Sequence, residues 1–126
     1  MITVHPPQIE LSQTEQRLLD QIWMDEEQLA RVKVRPPEFA DQYSPDFVSF
    51  DPDGNQLEKT QFVTRTIERT VTKLKRLWGH FGSKNSCCLA YICEYDRGQT
   101  DICMALWIER DGAWRKAFHH ENANFG

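Results

Sequence analysis

The stretch "ALWIERDGAWRKAFHHEN", residues 105–122, carries the strongest folding signal in the chain. Asp111-Gly112 stands between two runs that alternate apolar and polar residues. Such a dipeptide marks a two-residue hairpin, because both turn positions need positive φ. The turn sets Arg110 opposite Ala113, Glu109 opposite Trp114 and Trp107 opposite Lys116. Carried on without interruption, the register sets Ala105 against Phe118 and Cys103 against His120. The preceding strand, residues 85–95, joins residues 100–110 through "DRGQ". A turn centred on Gly98 pairs Cys93 with Cys103, Tyr91 with Ala105 and Leu89 with Trp107. Residues 71–81 alternate as well and are interrupted at Gly79, a position for a bulge or bend.

Period-two alternation then divides the sheet into two faces. Leu89, Tyr91, Trp107, Glu109, Trp114, Lys116, Phe118 and His120 share one face. Ala90, Ile92, Ile102, Met104, Leu106, Ile108, Arg115, Ala117 and His119 share the other. A one-residue slip would exchange the faces of every residue beyond it. Both faces are too apolar to lie in water, so each needs a cover.

The first half of the chain supplies helices for one of them. Ser12 and Glu15 match a capping box opening a helix with Leu18, Leu19, Ile22, Trp23, Leu29 and Ala30. That helix is expected to stop by Arg35, before Pro36. Pro37 suits the start of a short second helix holding Phe39, Ala40 and Tyr43. "DFVSFDPDGNQLEK" reads as strand, turn and short strand about Asp51-Pro52-Asp53-Gly54. Residues 59–70 read as a helix with Phe62, Val63, Thr66 and Ile67 on its buried face. Early helices and late strands make an α+β pattern, with helices on one face of an antiparallel sheet. We expect a second copy of the chain on the outer sheet face, giving a homodimer.

Composition narrows the function classes. The 126 residues carry a net charge of −4, with a pI near 5.5. No basic stripe is interleaved with aromatics, so no nucleic-acid partner is expected. No apolar run is long enough to span a bilayer, and "MITVHPPQIE" lacks the basic and apolar regions of a signal peptide. A cytoplasmic protein with no membrane partner is expected. Cys87, Cys88, Cys93 and Cys103 lack zinc spacing and read as buried free thiols, with a Cys93–Cys103 disulfide left open. No phosphate loop, dinucleotide fingerprint or nucleophile elbow occurs, so no cofactor and no metal is expected.

"YSPDFVSFDPDGNQLEKTQFV" and "ALWIERDGAWRKAFHHEN" resemble the nuclear-transport-factor-2-like (cystatin-like) superfamily. The likeness is to its SnoaL-like polyketide cyclases and to stand-alone relatives of the calmodulin-dependent kinase association domain. The matching pattern is the D-P-D-G turn after the second helix and a late W-x-x-R-D-G-x-W hairpin. The resemblance implies a cone-shaped fold, a curved antiparallel sheet wrapped around N-terminal helices, usually dimeric through the sheet. It covers one domain at residues 12–122, between an arm at 1–11 and a tail at 123–126. Members include isomerases, dehydratases, cyclases, ligand binders and oligomerisation modules. Ala105 stands where the kinase association domain carries an arginine, so that branch's anion-binding residue has no counterpart here.

On the expected inner face, His120 beside Trp107 and Trp114 is the candidate acid or base, with Glu109 or Asp51 as partner. The competing readings are a strand-end histidine, a hairpin-end carboxylate and an aspartate placed for turn chemistry. Trp107, Trp114, Tyr91, Tyr43 and Phe118 are candidate walls of a cavity for an apolar or aromatic small molecule, or else plain core. His119 and His120 point to opposite faces and cannot readily share a metal. Two functions stay open: ligand binding with cofactor-free acid–base chemistry, and an oligomerisation or adaptor domain with a vestigial pocket.

Overall fold

The computed structural model describes residues 10–32, 37–65, 67 and 69–123. Helix α1 spans Gln13–Arg31 and opens with the expected capping box, Ser12 Oγ accepting from the Glu15 amide while Glu15 answers at the Ser12 amide, both at 3.1 Å. Its buried stripe is Leu19, Ile22, Trp23, Glu26 and Leu29, helical spacing with one carboxylate among apolar residues. The chain leaves the helix at extended Val32; the expected stop at Arg35 lies outside the described residues.

A 3₁₀ helix, Pro37–Gln42, leads into strand β1, Tyr43–Phe50. Tyr43 therefore begins a strand rather than ending a helix. The D-P-D-G turn closes with Gly54 N donating to Asp51 O at 3.0 Å, Gly54 having φ +83°. Strand β2 (Gln56–Glu58) and helix α2 (Lys59–Thr64) follow. The helix expected over 59–70 is only 6 residues long and leaves helical geometry at Arg65.

Strands β3 (Val71–Ser83), β4 (Ser86–Tyr95), β5 (Thr100–Arg110) and β6 (Ala113–Ala123) complete one curved, unclosed sheet in the order β2-β1-β6-β5-β4-β3. Every ladder is antiparallel except β1–β6, which is parallel. The α+β architecture agrees with the expected cone, and that parallel ladder was not anticipated. It lets the first strand close beside the last without a hairpin.

Two registers differ from their expected values. The β4–β5 loop is Asp96-Arg97-Gly98, closed by Tyr95 N to Gln99 O at 2.9 Å, with Gly98 at φ +80°. A three-residue loop centres the hairpin on Arg97, so Cys93 faces Asp101, Tyr91 faces Cys103 and Cys87 faces Trp107. The shift is two residues, which preserves the faces. Cys93 and Cys103 are thus diagonal rather than opposite, and all four cysteines are free thiols.

The β5–β6 hairpin keeps its expected pairs near the turn, where Asp111 and Gly112 have φ 55° and 80°. Beyond Trp107–Lys116 the register shifts, and Leu106 pairs with Phe118, Ala105 with His119 and Met104 with His120. Ala117 is the extra residue of a β-bulge, and a bulge turns every later side chain to the other face. Phe118 and His120 therefore stand on the outer face, and His119 and Glu121 on the inner one.

Helix α1 lies against the inner face, and Gly79 marks the close approach. A Cβ at Gly79 would stand 2.9 Å from Trp23 Nε1 and 3.1 Å from Leu19 Cδ1. The glycine makes room for the helix while pairing with Leu89; register shifts fall to either side of it. The core gathers Leu19, Ile22, Trp23 and Leu29 of α1 with Leu89, Tyr91, Ala105 and Trp107 of the sheet. No helix of the described residues is long and apolar enough to cross a membrane.

Candidate ligand-binding cavity

Beside that core the inner face opens into a cavity of about 310 Å³. Leu29, Ala30, Tyr43, Phe62, Ile67 and Val71 give it apolar walls, and Glu26, Arg65, Arg69, Lys116 and Glu121, with His119 among them, give it a polar lining.

The charges form one connected chain. Glu26 is fully buried and accepts three hydrogen bonds, from Trp107 Nε1 (2.8 Å), Tyr91 Oη (2.5 Å) and Lys116 Nζ (2.7 Å). Burial alone would raise its pKa. Lys116, His119 and these donors outweigh it and hold the carboxyl below its usual range. A phenol donating to a carboxylate resists ionisation, and burial pushes Tyr91 further up.

Lys116 Nζ also lies 2.8 Å from His119 Nδ1. An ammonium can only donate, so Nδ1 accepts and the ring proton sits on Nε2, which donates to Glu121 Oε1 at 2.9 Å. Burial, then the Lys116 charge, depresses the pKa of His119, so the imidazole is neutral near pH 7. Glu121 is opposed by burial, but His119, Arg65 and Arg69 hold it far below the ordinary carboxylate range.

Arg65 approaches Glu121 at 3.5 Å and lies over the Phe62 ring at 4.0 Å. Arg69 binds Asp101 at 2.6 Å, reaches Glu121 at 3.8 Å and lies over the Tyr95 ring at 3.9 Å, while Tyr95 Oη donates to Asp101 at 3.0 Å. Each guanidinium is thus oriented by a ring and a carboxylate. Two buried donors on lining residues have no partner, Tyr43 Oη and Arg65 Nε. Cys93 and Cys103 share a wall; their mutual contact and burial push the Cys103 thiol strongly up, leaving it protonated.

The expected site residues scatter. Tyr43 and Tyr91 line the cavity. Trp107 lies beneath it on Glu26, and Trp114 packs on Phe81 with ring centroids 6.0 Å apart. Phe118 and His120 lie outside, near Phe50 at 6.0 and 6.5 Å. Glu109 accepts from the Gly112 amide at 2.9 Å, a turn contact. Asp51 accepts from the amides of Asp53 and Asn55 in its own exposed turn. His120, Glu109 and Asp51 therefore neither meet one another nor reach the cavity.

The residues that do meet there were missed, although two had signals. Glu26 is an acid on an apolar helical stripe, and Lys116 is a base among inward aromatics; each invites a buried partner. His119 and Glu121 were hidden by the bulge, and Arg65 and Arg69 by the early end of α2. Among the described residues no cluster of His, Cys, Asp and Glu is arranged to hold a metal ion.

No protein-family model matches the sequence, and no curated protein is significantly similar to it. Solved structures do match. An NTF2-like protein from Cytophaga hutchinsonii superposes with TM-score 0.68 at 13% identity, covering 90% of this chain and 100% of its own. A candidate Ca/calmodulin-dependent kinase II association domain from Exiguobacterium sibiricum gives 0.68 at 15%, covering 94% and 99%. A cystatin-like domain of unknown function from Nostoc punctiforme gives 0.57 at 10%, covering 90% and 77%. The chain therefore has the nuclear-transport-factor-2-like, cystatin-like α+β fold. At such identities the likeness is one of fold, and function rests on the residues of the cavity.

Proposed function

We propose that this chain is a small-molecule-binding protein that works as a homodimer. The observation that carries the binding half is the cavity of about 310 Å³ itself, apolar on one side and lined on the other by the Glu26–Lys116–His119–Glu121 chain. The ligand expected is a ring-sized organic molecule, its body against Phe62, Leu29 and Val71 and an acceptor oxygen toward the Lys116 ammonium. The reading is of binding rather than acid–base turnover, because Glu26 is saturated with donors and both His119 nitrogens are engaged.

The dimer half is supported by the outer sheet face. Ile102 and Met104 are 38% and 48% exposed, and Ile92, Leu106, Ile108 and Phe118 surround them on the same face. No helix of the described residues covers them, and a contiguous apolar patch on a sheet is a docking surface. One structural neighbour is named for an association domain, which fits a self-associating face. The free thiols support a reducing, cytoplasmic setting.

Thermal-shift screening of a fragment library, repeated on Ala30→Phe, tests the cavity. Ala30 lines it, and a phenyl group there would take up part of its space. Hits that stabilise the wild type and vanish in Ala30→Phe support the reading. An absence of hits, or hits indifferent to the narrowed cavity, would leave the association-domain reading alone.

A further inference from the structure

We infer that the cavity selects an electrically neutral ligand bearing a hydrogen-bond-accepting oxygen, and that Glu121 sets this selectivity by occupying the two arginines. This rests on the ligand-binding reading and names its ligand class. Arginines in a cavity ordinarily suggest an anion, but the charges here are already matched. Arg65, Arg69 and Lys116 are positive; Glu26 and Glu121 in the lining and Asp101 behind Arg69 are negative. His119, held between Lys116 and Glu121, adds no charge when its ring is neutral.

An anion entering this space finds no uncommitted cation and loses its hydration. To take the arginines it would have to displace Glu121, breaking contacts to His119, Arg65 and Arg69 at 2.9, 3.5 and 3.8 Å. Glu121 would then be left buried without partners. A neutral carbonyl or amide oxygen disturbs none of this. Lys116 leaves one further proton, since it is committed only to Glu26 and His119.

The test is calorimetric titration with benzamide and benzoate, two probes of one shape that differ in charge. Wild-type protein is expected to bind benzamide at least about tenfold more tightly than benzoate. Glu121→Gln frees the arginines while keeping the shape, and should shift that ratio toward benzoate by about tenfold or more. Ala30→Phe, which narrows the cavity, should weaken both.

Benzoate binding as tightly as benzamide to the wild type, or a ratio untouched by Glu121→Gln, overturns the inference and leaves the cavity reading standing. Failure of both probes at millimolar concentration, alongside an empty fragment screen, overturns the cavity reading and this inference with it. Should Glu121→Gln not fold, the wild-type ratio decides alone.

Discussion

The two faces of the sheet depart from the usual division. In a half-exposed antiparallel sheet the buried face is apolar and the solvent face polar. Here the inner face carries Glu26-bound Lys116, His119 and Glu121, with Lys116 2% exposed. The outer face carries Ile102, Met104, Leu106 and Phe118. The difference teaches that one face shelters a hydrogen-bonded network while the other leaves large apolar side chains exposed. β6 serves both, and it does so through Ala117. Before the bulge it sends Lys116 inward; after it, the strand sends His119 and Glu121 inward and Phe118 and His120 outward.

The comparison breaks most severely at Glu26. Removing one partner of a buried ion pair leaves the other charged and unsolvated, at a cost of about 3–5 kcal/mol. Glu26→Ala should lose stability of that order by chemical denaturation, the largest effect of any single change considered. Replacing Glu26 and Lys116 together by Leu and Met should recover much of it, because the isolated charge is gone. A double variant no more stable than Glu26→Ala would mean that the orphaned Tyr91 and Trp107 donors, rather than the unpaired ammonium, set the loss.

The outer face is next. Met104→Lys puts a charge into the proposed dimer contact and should weaken association about a hundredfold, roughly 2.7 kcal/mol. Monomer folding should be unchanged. Light scattering across a dilution series reads the shift; a wild type that is monomeric at tens of micromolar removes the dimer from the picture.

A smaller effect is expected where the inner face meets α1. Gly79→Ala sets a methyl 2.9 Å from Trp23 Nε1 and 3.1 Å from Leu19 Cδ1, overpacking worth about 1–3 kcal/mol. Ala at Gly98, where nothing lies within 4 Å but φ is +80°, separates backbone strain from crowding. A Gly79→Ala protein as stable as wild type would show that the helix can move away from the sheet.

What could be read from the chain follows from how local each signal is. The Ser12–Glu15 box and the Asp111-Gly112 turn are complete within four residues, and both stand where they were expected. The bulge at Ala117 is not local. "WRKAFHHE" carries no glycine or proline there, and either register buries an aromatic or histidine side chain. What selects the observed one is distant: Glu26 for Lys116 and Arg65 and Arg69 for Glu121. The β4–β5 shift stayed harmless because a two-residue error keeps the faces, whereas one residue moved the candidate histidine from His119 to His120. The end of α2 was hidden likewise, since "RTIERT" has no stop signal. Arg65 and Arg69 are instead held by Phe62, Tyr95, Asp101 and Glu121.

The pH response of the inner face tests the assigned protonation states directly. His119 has a folded pKa below its ordinary 6.5, and Glu121 and Glu26 lie below their ordinary 4.5. In each case the unfolded chain takes up a proton before the folded one does. Stability is therefore full above the unfolded value and falls as pH drops toward the folded one, by about 1.4 kcal/mol per unit of depression. Melting temperature should be flat from pH 8 to about 6.5, fall gently as His119 begins to discriminate, and fall again below about 4.5. His119→Gln should remove the upper fall and also reduce the lower, because His119 helps to hold Glu121 and Glu26 down, while Glu121→Gln should blunt the lower. His120, on the outer face, serves as control: if His120→Gln rather than His119→Gln erased the upper fall, the histidine that matters would be the outer one, and the assignment made through Ala117 would be wrong.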